Sequence, residues 1–211
     1  MPYPLDFTLL PDITHGRAFM RLDDAALSGI ASLRRVSERA KNATQFAYWS
    51  AASSEMLRCP ESEAQHLREG CFRAALTEFA SIEEVQVEDY AEIGITRRPL
   101  RLNDTANPLL HIFREIRNLE VHLRQSALRS QPKEVLWGHM SRPEEARPLT
   151  ISIWRIDSVT PQAFGMLRNA KHYTPDQITA MVDWLATAQG EWGIAEVFLL
   201  AVEEYCRLLK A

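Results

Sequence analysis

Lysine is scarce in this 211-residue chain: Lys41, Lys133, Lys171 and Lys210 are the only lysines among 24 basic side chains, and the rest are arginine. Arginine binds phosphate and carboxylate bidentately, although genomic base composition accounts for the same bias. Cysteine is limited to Cys59, Cys71 and Cys206, widely spaced and without a C-x-x-C pair. That spacing excludes a disulfide framework and a zinc ribbon, and reads as buried thiols in a reducing compartment. The 8 glycines are scattered, so no Gly-rich loop is available to cradle a phosphate. No serine sits in a G-x-S-x-G elbow. Long apolar runs are missing as well. The best of them, "VFLLAV", falls far short of the roughly 20 residues a bilayer requires, and the opening "MPYPLDFTLLPDI" has neither the basic region nor the apolar stretch of a secretory signal. These absences predict a cytoplasmic chain with no membrane partner.

What is present describes a globular protein, 46% hydrophobic and 25% charged, long enough to bury a sizeable core. The net charge is −4 and the isoelectric point about 5.9, so no global positive field advertises nucleic acid and any polyanion site has to be local.

Periodicity predicts a mostly α fold, a helical bundle with a small two-stranded β element. Residues 1 to 22, with Pro2, Pro4, Pro11 and Gly16, read as an extended arm that packs on the body. A first helix starts at Asp23 or Asp24 and runs to about residue 57, with Leu27, Ile30, Leu33, Val36, Ala40, Ala43 and Ala47 on its buried face. A second begins after Pro60, its stripe formed by Leu67, Cys71, Phe72, Ala75, Leu76, Phe79 and Ile82. Residues 83 to 107 lose the helical period. "ITRRPLRL" there reads as a short strand that pairs with the alternating, β-branched "LTISIWRI" further on. A third helix, capped by Asn107 and opened by Pro108, reaches about Ser130. A turn-rich connection follows, and the C-terminal segment opens with Thr174, Pro175 and Gln177 in a capping box, then forms two helices separated around Gly190 to Gly193. The last helix is apolar and acidic, which phosphates would repel, so the pair reads as an αα-hairpin or part of a subunit interface and not as a DNA-reading motif. Residues 1–131 are thus expected as a bundle with an N-terminal arm, and 132–211 as a strand plus helical hairpin on the same core.

The third helix holds the candidate chemistry. At roughly 100° per residue, Leu109, Ile112, Ile116, Leu119, Leu123 and Ala127 form an apolar arc, while His111, Glu115, Asn118 and His122 fall in one line opposite it. Arg117 lies off that line. His111 and His122 are about 16 Å apart along the axis, too far for one metal ion, so neither a metal nor another cofactor is expected. Acid–base chemistry by His122, supported by the cation of Arg117, remains.

Arg117, Asn118 and His122 match the R-x4-6-H motif in its "RN-x-x-x-H" form, and in this the chain resembles the HEPN superfamily. The resemblance implies a helical bundle, commonly dimeric, and a metal-independent endoribonuclease of a bacterial defence or toxin type. Arg117 and His122 would act at the scissile phosphate with Asn118 orienting the groups, and an antitoxin or other protein is an implied partner. The motif usually sits in the last helix of such bundles, whereas about 80 residues follow it here. Arg114, Arg124, Arg97, Arg98 and Arg101 are candidate phosphate or RNA contacts, with Glu78, Glu115 and His111 in support. Two other readings stay open. In one, the bundle only binds a nucleotide, RNA or a protein partner. In the other, Arg117 pairs with a carboxylate such as Glu78 while Asn118 and His122 face solvent.

Overall fold

A computed structural model describes residues 2–13, 24–123, 128–137 and 146–209, apart from the side chains at 24, 121–123, 136 and 137. The fold is mostly helical, with one two-stranded antiparallel sheet. Its helices are α1 (Asp24–Ser28), α2 (Arg34–Ser50), α3 (Ser54–Leu57), α4 (Glu61–Ile93), α5 (Pro108–Leu123), α6 (Pro161–Gly165), α7 (Pro175–Trp192) and α8 (Ile194–Leu208), and the strands β1 (Leu128–Trp137) and β2 (Arg147–Ile156) lie between α5 and α6. Among the described residues no helix is long and apolar enough to cross a membrane.

The single helix expected from 24 to 57 is three pieces. After α1 the chain tightens into three-residue turns, with the Ile30 N–H on the Leu27 carbonyl and the Leu33 N–H on the Ile30 carbonyl. Gly29 favours this break because it gains least from helix. The new start at α2 is fixed from a distance: the Asp89 carboxylate of α4 accepts the Val36 N–H at 2.9 Å and holds Arg35 at 2.9 Å. Ser53 caps α3 through the Met56 N–H. The apolar face is as the period predicts, with Ile30, Leu33, Val36, Ala40, Ala43 and Ala47 all fully buried.

Helix α4 corrects two readings. It continues through residues 83 to 93, where the sequence shows no period, because the buried face passes from Ile82 to polar Gln86, Asp89 and Tyr90. Gly94, at φ +74°, ends it in the left-handed conformation that glycine adopts most readily. Near the other end, Leu67 is 48% exposed and Arg68 only 1%. The inward position belongs to the arginine, whose guanidinium meets Glu61 at 2.6 Å, the Ala52 carbonyl at 2.7 Å and the Trp154 ring centre at 4.2 Å.

"ITRRPLRL" is not a strand. Side chains of α4 pin it instead: Gln86 bonds both the N–H and the carbonyl of Leu100, and Glu83 accepts the Leu102 N–H at 2.6 Å. The partner of β2 is β1, in register from Leu128 opposite Ile156 to Trp137 opposite Arg147, so the stretch expected as helix end and turn-rich connection forms half of the sheet. Gln189 of α7 bonds both backbone groups of Ile156, at 2.9 and 3.0 Å, and thereby docks the hairpin base.

The last third of the chain supplies the middle of the core. Phe198 of α8 lies edge-on to Phe72, Phe79 and Phe113 at 6.0, 5.5 and 5.2 Å, geometries that favour aromatic pairs. The apolar stretch of the last helix, Val197 to Val202, is therefore spent inside the core. Thr174 and Gln177 form the capping box of α7. Residues 2–13 of the N-terminal arm pack on the body through the Tyr3 N–H to the His172 carbonyl and the Asp6 N–H to the Ala106 carbonyl, both at 2.8 Å, and the rest of the expected arm lies outside the described residues.

Candidate functional site

Helix α5 starts where the sequence places it, with the Asn107 side chain accepting the Leu109 N–H at 3.0 Å. Leu109, Ile112, Ile116 and Leu119 are buried, as are Leu110 and Phe113 on the adjoining flank. At His111 and Glu115 the opposite line is not a wet face. His111 is 0% exposed and Glu115 1%, because the segment from Pro161 to Tyr173 and the N-terminal arm cover this side of the helix.

Buried polar groups require partners, and these have them. His111 Nε2 faces the Thr105 carbonyl at 3.0 Å, and Nδ1 faces the Tyr173 hydroxyl at 3.0 Å. The same hydroxyl lies 3.0 Å from Glu115 Oε1. Asn118 donates from Nδ2 to Glu115 Oε2 at 3.0 Å, and Asn169 donates to Oε1 at 3.2 Å. Arg114 brings a guanidinium nitrogen to 3.8 Å from Oε1. Tyr3 closes the group, its ring centre 4.9 Å from that of His111 and 5.0 Å from that of Tyr173.

The electrostatics follow from burial. Loss of water pushes the His111 imidazole down to about 4, helped by the Arg114 charge and opposed by the Thr105 carbonyl. Burial raises the Tyr173 phenol far above its ordinary value, and the neighbouring Glu115 adds to the rise. Tyr3 is raised for the same first reason, with Arg114 opposing. Across the helix pair, burial raises the Glu83 carboxyl against the Leu102 N–H and the charges of Arg114 and Arg101.

Arg117 is partly buried, and its Nε is shielded from water with no hydrogen-bond partner. Glu78 is not that partner: Arg39 of α2 holds both its oxygens, at 3.0 and 2.9 Å, and Asn42 approaches at 3.4 Å. Glu120, one turn from Arg117, is taken by Arg73 of α4 at 3.0 Å. The backbone of His122 continues the helix, while its side chain and all of Arg124 lie outside the described residues. Five residues of regular helix place positions 117 and 122 about 140° apart.

Arg97 donates to the Leu209 carbonyl at 2.9 Å and stacks 5.3 Å from the Tyr90 ring centre, so it caps α8. Arg98 pairs with Asp104 at 3.3 Å, and Arg101 is exposed. Among the described residues no group of three His, Cys, Asp or Glu could hold a metal ion. Tyr173, Asn169, Thr105 and Tyr3 complete the polar group and carry no periodic or spacing signal, since loops and turns bring them in. Comparison of the chain with family models, with curated proteins and with solved structures finds no match to any of them.

Proposed function

We propose that this chain is a HEPN-like, metal-independent endoribonuclease whose site is the edge of α5 bearing Arg117, Asn118 and His122. The observation that carries the reading is the state of Arg117. Glu78, Glu120 and Glu115 are engaged by Arg39, Arg73 and the Tyr173 group, and the Arg117 Nε is sheltered without a partner. A half-buried guanidinium with a sheltered, unused donor suits a phosphate oxygen.

In the proposed reaction Arg117 holds the non-bridging oxygens of an RNA phosphodiester and offsets the charge that grows on them. His122 takes the proton of the ribose 2′-OH. The O2′–P bond then forms as the bond to the 5′-oxygen breaks. That oxygen takes a proton from water as it leaves, and His122 releases its own to solvent, giving a 2′,3′-cyclic phosphate and a 5′-hydroxyl end. Because positions 117 and 122 diverge by about 140° on one helix, the complete site is built across a homodimer, with Arg117 of one copy facing His122 of the other.

The test is cleavage of single-stranded RNA in the presence of a chelator. Wild type turns over. Arg117→Ala and His122→Ala remain folded by circular dichroism and lose about 100-fold or more of the rate. Full activity in either variant rejects the assignment. Salt-dependent RNA binding without turnover, lost in Arg117→Ala, replaces it with a non-catalytic phosphate-binding bundle.

A further inference from the structure

The Tyr173 hydroxyl has one hydrogen and two polar neighbours at 3.0 Å, His111 Nδ1 and Glu115 Oε1. The far side of the imidazole settles the count. Nε2 faces the Thr105 carbonyl, which only accepts, so Nε2 carries a hydrogen. Burial keeps the imidazole neutral, so Nδ1 is a bare acceptor. The single Tyr173 hydrogen therefore serves one of two acceptors, Nδ1 or Oε1, and Oε1 receives a second donor from Asn169.

Asn118 reads this chain from its other end. Its Nδ2 donates to Glu115 Oε2 at 3.0 Å, and the Tyr173 hydroxyl and Asn169 meet the carboxylate at its other oxygen. A flipped amide would set oxygen against oxygen. The remaining charged and titratable neighbours keep this arrangement: Arg114 lies 3.8 Å from Oε1, Asn169 donates to the same oxygen, and Tyr3 packs over both rings with His172 5.3 Å from it.

We infer that His111, Tyr173 and Glu115 form a buried relay around the single Tyr173 hydrogen, and that Glu115 is the positioning residue that turns the Asn118 carbonyl oxygen outward at the proposed site. An acceptor fixed there suits a hydroxyl or amide donor of the ligand and repels a phosphate oxygen, which leaves the anion to Arg117. The positioning role rests on the ribonuclease reading, while the relay and the amide orientation do not.

The experiment is side-chain nitrogen NMR on the full chain, in wild type, Tyr173→Phe and Glu115→Gln, with RNA cleavage measured in parallel. In wild type, Nε2 of His111 carries its hydrogen and the Asn118 amide hydrogens exchange slowly. Tyr173→Phe keeps the ring packing, shifts the Nδ1 signal and leaves the Asn118 signals in place. Glu115→Gln presents an NH2 to Asn118, turns its amide over and moves those signals. Cleavage then falls roughly tenfold, the scale on which outer supporting contacts act, with KM little changed. Asn118 hydrogens that exchange as fast as an exposed amide, or a His111 with a bare Nε2, overturn the inference from wild type alone, so a Glu115→Gln that fails to fold does not shield it. Slow exchange without RNA turnover in wild type rejects the ribonuclease reading and leaves the relay standing.

Discussion

Asp89 of α4 caps α2 at Val36, accepting its backbone N–H at 2.9 Å while it pairs with Arg35. The carboxylate is almost fully buried, so its loss leaves an unpaired amide in a dry helix junction. Asp89→Ala is expected to cost about 1–3 kcal/mol, although Arg35 keeps Glu88 and Glu92. Urea unfolding measures this as a lower midpoint at unchanged slope.

Arg68 joins the α2–α3 turn, the start of α4 and the hairpin through the Ala52 carbonyl, Glu61 and Trp154. Arg68→Ala opens a void in a packed site and is expected to cost about 2–5 kcal/mol. Arg68→Lys fills part of the space but loses the planar fork and the stacking, so it falls between. Trp154 fluorescence should shift in both variants, since the indole loses the guanidinium stacked on it. An unchanged melting temperature in Arg68→Ala would contradict this account.

Two glycines three residues apart should respond with opposite signs. Gly193 links α7 to α8 at φ +83° and ψ 154°, and a Cβ there would stand 3.3 Å from the Ile153 Cβ. Gly193→Ala is expected to destabilise by about 1–3 kcal/mol, as the conformation is nearly restricted to glycine. Gly190 lies in the helix, where a Cβ meets only the Arg155 guanidinium at 3.8 Å. Gly190→Ala should stabilise by about 0.5–1 kcal/mol. Thermal melting of the two variants decides the pair.

Stability should fall in mild acid because of His111. Its imidazole titrates near 4 in the folded chain against 6.5 when free, so below 6.5 the unfolded chain binds the extra proton and the folded chain does not. The stabilising contribution is therefore complete above about 6.5, declines as pH drops towards 4, and amounts to about 3 kcal/mol across that window. Thr105, Tyr173, Tyr3 and Arg114 surround the ring, and none offers a carboxylate directly to it. Urea unfolding at pH 7 and pH 5 should show the loss in wild type, and His111→Gln should flatten the dependence.

The core faces of α2 and α5 were legible because Val36, Ala40, Ala43 and Ala47, and likewise Leu109, Ile112, Ile116 and Leu119, keep an unbroken apolar period. Helix α4 was legible only as far as Ile82, beyond which Gln86 and Asp89 take core positions and the apolar signal stops. Leu67 and Arg68 exchanged their expected places, since Ala52, Glu61 and Trp154 provide what a buried guanidinium needs. At the site, the line of His111, Glu115 and Asn118 was visible on the helix wheel, but its character was not. A polar line is wet or buried according to what lies against it, and the covering residues Tyr3, Asn169 and Tyr173 come from distant turns.

The sequence by itself determined a mostly helical chain, the starts of α5 and α7 at Asn107 and Thr174, the strand at "LTISIWRI" and the core face of α5. Each of these rests on chemistry between residues a few positions apart, where caps, periods and alternation act. Only the tertiary structure decided that β1 is the strand's partner, that Asp89 starts α2, that α8 fills the centre, and that Arg39, not Arg117, holds Glu78. Those outcomes depend on which buried polar group finds a partner across the core, and the cost of leaving one unpaired is settled only when all the elements have met.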